Sequence, residues 1–197
     1  GEGLDALRDA LVAASRLVSG RPVDAGARLP VDRVFSMKGF GTVVTGTLVS
    51  GRVAIGDALL LAPGDRRVSV RGVQVHGQRH ADAVAGQRAA INLSGVDVQD
   101  VQRGRTLVTP GVFEETRIVD ASIELLADAK PLKHGARVRF HQGTVELMGR
   151  VAVVGAVVAV AGALGGWALA STVFYSPPST IVQFGHIKSI TALGKRF

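Results

Sequence analysis

The sequence predicts a mainly β protein. It comprises an antiparallel β-barrel over residues 28–113, a truncated second barrel over 114–154, a short helix within 1–20, and an apolar C-terminal segment over 155–197 that is readable as a helix. Three observations carry this expectation. From Leu29 to about Val112, short Val-rich runs alternate with Gly, Pro and Asp turns; many short, locally linked strands favour a closed barrel, because closure removes exposed edges. Twenty-five glycines accompany 5% aromatic and 47% hydrophobic residues, a composition of tight turns and β-branched packing rather than of a helical bundle. After Arg150 the texture changes, and no charged residue occurs from Val151 to Tyr175.

In residues 1–20, Leu4, Leu7, Leu11, Ala14 and Val18 recur at helical spacing, with Asp5 and Asp9 in the first turns, where the helix dipole favours acids. Gly20 and Pro22 stop the helix, which reads as the last helix of a preceding domain. The barrel strands follow as VDRVF, GTVVTGTLV, SGRVAIGDALLLAP, VSVRGVQVHG, GQRAAINLSG and RTLVTP. Gly51 suits a hairpin, and Gly56-Asp57 and Pro63-Gly64-Asp65 punctuate the next turns. From Glu115 a second β-rich unit begins, with Ile118, Ala121 and Ile123 alternating with polar residues. The turn ADAKPLKHG and two strands in RVRFHQGTVELMGRVAVVG come next. So few strands rarely stand alone.

The charge-free run VAVVGAVVAVAGALGGWALASTVFY over 151–175 is long enough to cross a bilayer as a helix. It reads as a spanning or signal-like segment giving a membrane contact, the alternative being a buried strand followed by glycine-rich core. Met148-Gly149-Arg150 ahead of it has the form of a basic region before an apolar one, as at a join between unrelated sequences. The net charge is +7, of which Lys188, Lys195 and Arg196 supply three in a tail without acids. The remainder is mild and permits nucleic-acid binding without demanding it. Absence of cysteine excludes disulfides, thiolate metal sites and a cysteine nucleophile. The five histidines show no metal-ligand spacing with carboxylates, and no serine sits in a triad context.

The most informative string is LPVDRVFSMKGFGTVVTGTLVSGRVAIGD. Its Gly39-x-Gly41 turn lies between strands and opens no helix, so the dinucleotide fingerprint does not apply. As a whole it resembles the start of the second domain of translational GTPases. The form KGFGTVVTGT, with Lys38 before the glycines, resembles the selenocysteine-specific elongation factor more than elongation factor Tu. RVSVRGVQVHGQ, AVAGQRAAINLSGVDVQDVQRGRTL and ARVRFHQGTVELMGRV agree in order, and GEGLDALRDAL resembles the final helix of that family's GTPase domain. The resemblance covers residues 1 to about 154. It implies a cytoplasmic protein that carries selenocysteinyl-tRNA to the ribosome at UGA codons, with the barrel at the aminoacyl end. It also implies GTP and magnesium in the family's GTPase domain. The phosphate loop G-x-x-x-x-G-K-[ST], Asn-Lys-x-Asp and Asp-x-x-Gly do not occur in this sequence, so neither a cofactor nor catalysis is expected of these residues.

The same resemblance places Asp32 and Arg33 of VDRVF and Arg88 of GQRAAINL at the selenocysteinyl group. A selenol is ionised at neutral pH and a serine hydroxyl is not, so fixed arginines favour the former by charge. The alternative is an ordinary ion pair on a barrel rim. Arg66, Arg67, Arg71, Arg79 and His80 form a basic stretch over two strands that suits acceptor-stem phosphates, or else a solvated face. Phe35 and Phe40 are expected to pack in the core or rim. Two rival readings are a membrane-anchored β-barrel interaction module and a domain 2/3 fragment of another translational GTPase such as elongation factor Tu. The combination of Arg88 with Asp32 and Arg33 favours the selenol site over the latter.

Overall fold

The computed structural model describes residues 2–17, 20–125, 130–154, 157–162 and 187–195. Helix α1 (Leu4–Leu17) forms where the spacing predicts it, with Asp5 in its first turn and Arg16 in its last, and none of its residues is buried. Its apolar stripe of Leu4, Leu7 and Leu11 faces solvent.

Nine strands follow: β1 (Arg28–Met37), β2 (Gly41–Thr47), β3 (Arg52–Ala54), β4 (Ala58–Ala62), β5 (Arg66–Val75), β6 (Gln78–His80), β7 (Asp82–Val84), β8 (Arg88–Ser94) and β9 (Thr106–Val108). Six of them are paired in the order β4-β9-β1-β2-β8-β5, and β5 returns to β4 through Ala58↔Ser69 to Leu61↔Arg66, closing an antiparallel ring. The expected barrel is therefore present. Strand β6 hangs outside the ring on β5, and β3 pairs with β7 as a separate ribbon. The period-2 alternation of β8 sends Ala89, Ile91 and Leu93 inward and leaves Arg88, Ala90, Asn92 and Ser94 on the outer face. The interior is filled by Leu29, Val31, Val44, Leu48, Leu61, Ile91 and Leu107, all at 1% exposure or less. Burying each such side chain is worth about 1.5–3 kcal/mol, so the ring supplies its own core.

A second sheet has the order β11-β12-β13-β10-β14, with β10 (Ile118–Leu125), β11 (Arg137–Gln142), β12 (Val145–Val154), β13 (Val157–Gly162) and β14 (Ile187–Lys195). The helix expected after Arg150 is corrected here: residues 151–154 and 157–162 are strand, paired Val151↔Val160 through Val154↔Val157. A charge-free window looks the same whether it is one helix of about twenty residues or two strands of about ten folded together. The β-branched valines at 151, 153, 154, 157, 158 and 160 decide for the strands. The expected boundary at residue 154 thus falls between two paired strands, while residues 155–156 and 163–175 of the expected membrane span lie outside the described residues. Among the described residues no helix is long and apolar enough to cross a membrane.

The tip of the β11–β12 hairpin rests on the barrel. Thr144 Oγ1 donates to the Val31 carbonyl at 2.7 Å, and Arg103 Nε donates to the Thr144 carbonyl at 3.5 Å. Gly143, at φ 56°, lies so close to Pro30 that a Cβ would stand 3.1 Å from its ring.

Candidate functional site

The expected trio sits on the outer face of β1, β2 and β8. Val31 pairs with Gly46 and Arg33 with Thr45, so Asp32 is the extra residue of a β-bulge. Gly46 permits the bend: a Cβ there would lie 2.2 Å from the Pro30 carbonyl oxygen. The Asp32 carboxylate faces Arg88 across β2. Its Oδ2 accepts from Arg88 Nη1, and its Oδ1 accepts from Nη2 at 3.1 Å. Thr45 Oγ1 donates to Oδ1 at 2.6 Å. The Asp32 side chain is 20% exposed and that of Arg88 52%.

Burial acts to raise the Asp32 pKa. The hydrogen bonds from Arg88 and Thr45 and the charges of Arg88 and Arg33 outweigh it, holding the carboxyl below its ordinary value. The hydrogen bond and charge of Asp32 in turn push the Arg88 guanidinium up. Both groups are ionised at neutral pH. With Arg33 exposed beside them, the cluster carries one carboxylate against two guanidinium groups.

Three ladder rows run along this outer face: Thr47 beside Arg88, then Arg33, Thr45 and Ala90, then Phe35, Val43 and Asn92. The third row opens onto a groove of about 200 Å³ with Phe35, Met37, Phe40 and Ile55 as its apolar wall and Arg71, Arg79 and His80 at its edge. The Arg79 guanidinium lies 5.5 Å from the centroid of the Phe40 ring, a cation–π contact. Asn92 Nδ2 donates to the Phe40 carbonyl at 2.8 Å and so holds the turn that carries the ring.

The structure brings Asp32 and Arg88 into direct contact with Arg33 adjacent, and it gathers Arg71, Arg79 and His80 on one groove. It separates the rest of the basic stretch. Arg66 is paired with Asp100 at 2.5 Å in a second, polar depression that Arg71 also borders, and the exposed Arg67 lines neither hollow. Of the core or rim positions expected of them, Phe35 and Phe40 take the rim, lining the groove at 37% and 42% exposure. The strand phase carried the signal for Phe35: with Val34 inward, Phe35 and Met37 must face out. Thr45 and Asn92 carried no signal of their own, because their roles depend on which strands flank β2 and β8. Among the described residues no group of three or more His, Asp or Glu could hold a metal ion.

Residues 41–108 match the elongation factor Tu domain 2 family. The chain is 43% identical over 125 residues to the selenocysteine-specific elongation factor of Desulfomicrobium baculatum, covering 63% of this chain and 20% of that protein. It is 34% identical over 158 residues to the selenocysteine-specific elongation factor of Escherichia coli strain K12, covering 78% and 24% respectively. The chain thus spans about a fifth to a quarter of the length of the curated relatives it matches. Among solved structures, a bacterial selenocysteine-specific elongation factor, EF-Sec, superposes with a TM-score of 0.83 at 24% identity, over 100% of this chain and 32% of that one. At that identity the likeness is one of fold.

Proposed function

From the premise that the barrel is a translation-factor domain 2 of the selenocysteine-specific type, we propose that it binds the aminoacyl end of selenocysteinyl-tRNA. On this reading the chain is part of a factor that delivers that tRNA to the ribosome at UGA codons in the cytoplasm. The observation that supports it most is the joint placement of the Asp32–Arg88–Arg33 cluster and the cation-edged apolar groove on one outer face.

The chemistry divides between the two. In the groove, Phe35, Met37 and Phe40 offer apolar surface to the terminal base, and Arg71 and Arg79 offer charge to the phosphate next to it. From Asn92 in the groove to Arg88 is four residues of strand, about 13 Å at the usual rise, a span fitted to a nucleoside with an esterified amino acid. At the far end, the excess positive charge favours a selenolate over a neutral hydroxyl. Arg66 and Arg67 lie outside the groove and would meet RNA phosphates only further along the stem. Control by GTP and magnesium would reside in a GTPase domain of the factor and not in the residues described here.

The test is Arg88→Ala, with selenocysteinyl-tRNA and seryl-tRNA binding measured side by side. Removing a charge-assisted hydrogen-bond donor costs about 1.5–3 kcal/mol. The expected outcome is therefore a loss of preference of about tenfold or more, borne by the selenocysteinyl ligand alone. Equal weakening of both ligands would make Arg88 a support of the barrel and end the assignment.

A further inference from the structure

The Asp32–Arg88 pair has a third member in Thr45. This residue stands in β2, the strand between the two that carry the pair, with Arg33 and Ala90 as its ladder neighbours. Its hydroxyl donates at 2.6 Å to Asp32 Oδ1, the oxygen that also receives Arg88 Nη2. The terminal torsion of an aspartate is broad and roughly two-fold, so the carboxylate plane needs an outside restraint. Arg88 is a weak one, because its long side chain is 52% exposed and must itself be ordered. Thr45 is β-branched and stiff at χ1, half-buried, and rooted in a strand paired on both edges.

We propose that Thr45 is the positioning residue of this site: its hydroxyl fixes the Asp32 carboxylate so that Arg88 is gripped at both Nη atoms, with its remaining N–H donors left to a single negative charge on a ligand. A guanidinium has five N–H donors, and the grip uses only part of them. Asp32 cancels one of the two arginine charges around it, Arg88 or Arg33. One net positive charge is left on the cluster, which suits a monoanion and gives little to a neutral hydroxyl.

This inference rests on the aminoacyl reading above, and the test separates the two. Thr45→Val keeps the shape and removes the hydroxyl, Thr45→Ala is a second hydroxyl-free variant should the first fold poorly, and Thr45→Ser keeps the donor. In the whole chain, the Asp32 carboxyl carbon is followed by NMR as the pH is lowered. Asp32 is expected to titrate at higher pH in Thr45→Val and Thr45→Ala, and as in the parent chain in Thr45→Ser. The same titration in all variants overturns the positioning role. Binding of selenocysteinyl-tRNA against seryl-tRNA is then compared. The hydroxyl-free variants are expected to narrow the preference by about fivefold, the worth of one hydrogen bond of about 1 kcal/mol, with Thr45→Ser restoring it. A shifted Asp32 titration with an unchanged preference would leave the Thr45–Asp32 bond as structure only. It would overturn the role of Thr45 in ligand preference, whereas a parent chain with no preference for selenocysteinyl-tRNA over seryl-tRNA would overturn the aminoacyl reading.

Discussion

Asp32 is a carboxylate whose surroundings pull in opposite directions. Burial penalises its charge, while Arg88, Thr45 and Arg33 favour it, and the favourable side wins. Its pKa in the folded chain is therefore below the unfolded value of about 3.9. The stability it contributes is complete above that unfolded value and is lost as the pH falls through the folded pKa. Asp32→Asn is expected to abolish this acid-side loss and to cost about 1 kcal/mol at pH 7; urea unfolding at pH 7 and at pH 3 measures both. An equal acid-side loss in the variant would mean that another carboxylate governs it. Asp32, Arg33 and Arg88 were legible in the sequence because each lies in a string that resembles a known one. Thr45 and Asn92 were not, because a threonine or an asparagine becomes informative only when the strand beside it is known: Thr45 acts on Asp32, 13 positions away, and Asn92 on Phe40, 52 positions away.

At the scale of the element, the bulge in β1 is built by its neighbour. Gly46 has no alternative: a methyl group there would lie 2.2 Å from the Pro30 carbonyl oxygen and 2.7 Å from Leu29 Cδ2, on a backbone already pinned by the ladder. Gly46→Ala is expected to destabilise the chain by about 3 kcal/mol, at the upper end of what overpacking costs, and to displace Asp32 from Arg88. A shift of the urea midpoint measures the first effect, and the NMR titration of Asp32 the second. Near-native stability would mean that the bulge relaxes without loss. The strands of the ring were readable because alternation and turn glycines coincide, as in RAAINLS and the Gly51 turn. The β12–β13 hairpin was misread for a physical reason. Its valines supply β-propensity, but without polar residues alternating between them there is no period to oppose the count of apolar residues.

For the whole molecule, the ring is the unit that holds its own core. Truncation after residue 113 is expected to preserve one cooperative unfolding transition, whereas truncation after residue 105 removes β9 and is expected to abolish it. The second cut takes with it the Leu29↔Leu107 and Leu61↔Leu107 pairings and the mutual bonds of Ala27 and Thr109. Circular dichroism during urea titration distinguishes the outcomes. Calorimetry with GTP and magnesium is expected to show no specific binding to the 197-residue chain, since a phosphate cradle needs loop amides, a lysine and a hydroxyl that the sequence does not supply; a micromolar site would contradict that.

The place of β9 in the ring also fixes an order in time. Synthesis runs from the N-terminus, and β9 is the last of the ring strands to be made, yet it lies between β1, the first made, and β4. Until Thr106–Val108 has left the ribosome, those two strands each keep an unpaired edge, and the apolar interior behind Leu29 and Leu61 has no seam. A nascent chain of this protein is therefore most open to strand-to-strand association with its neighbours just before β9 appears. A pause in translation is tolerated once Val108 has cleared the ribosome and hazardous shortly before that.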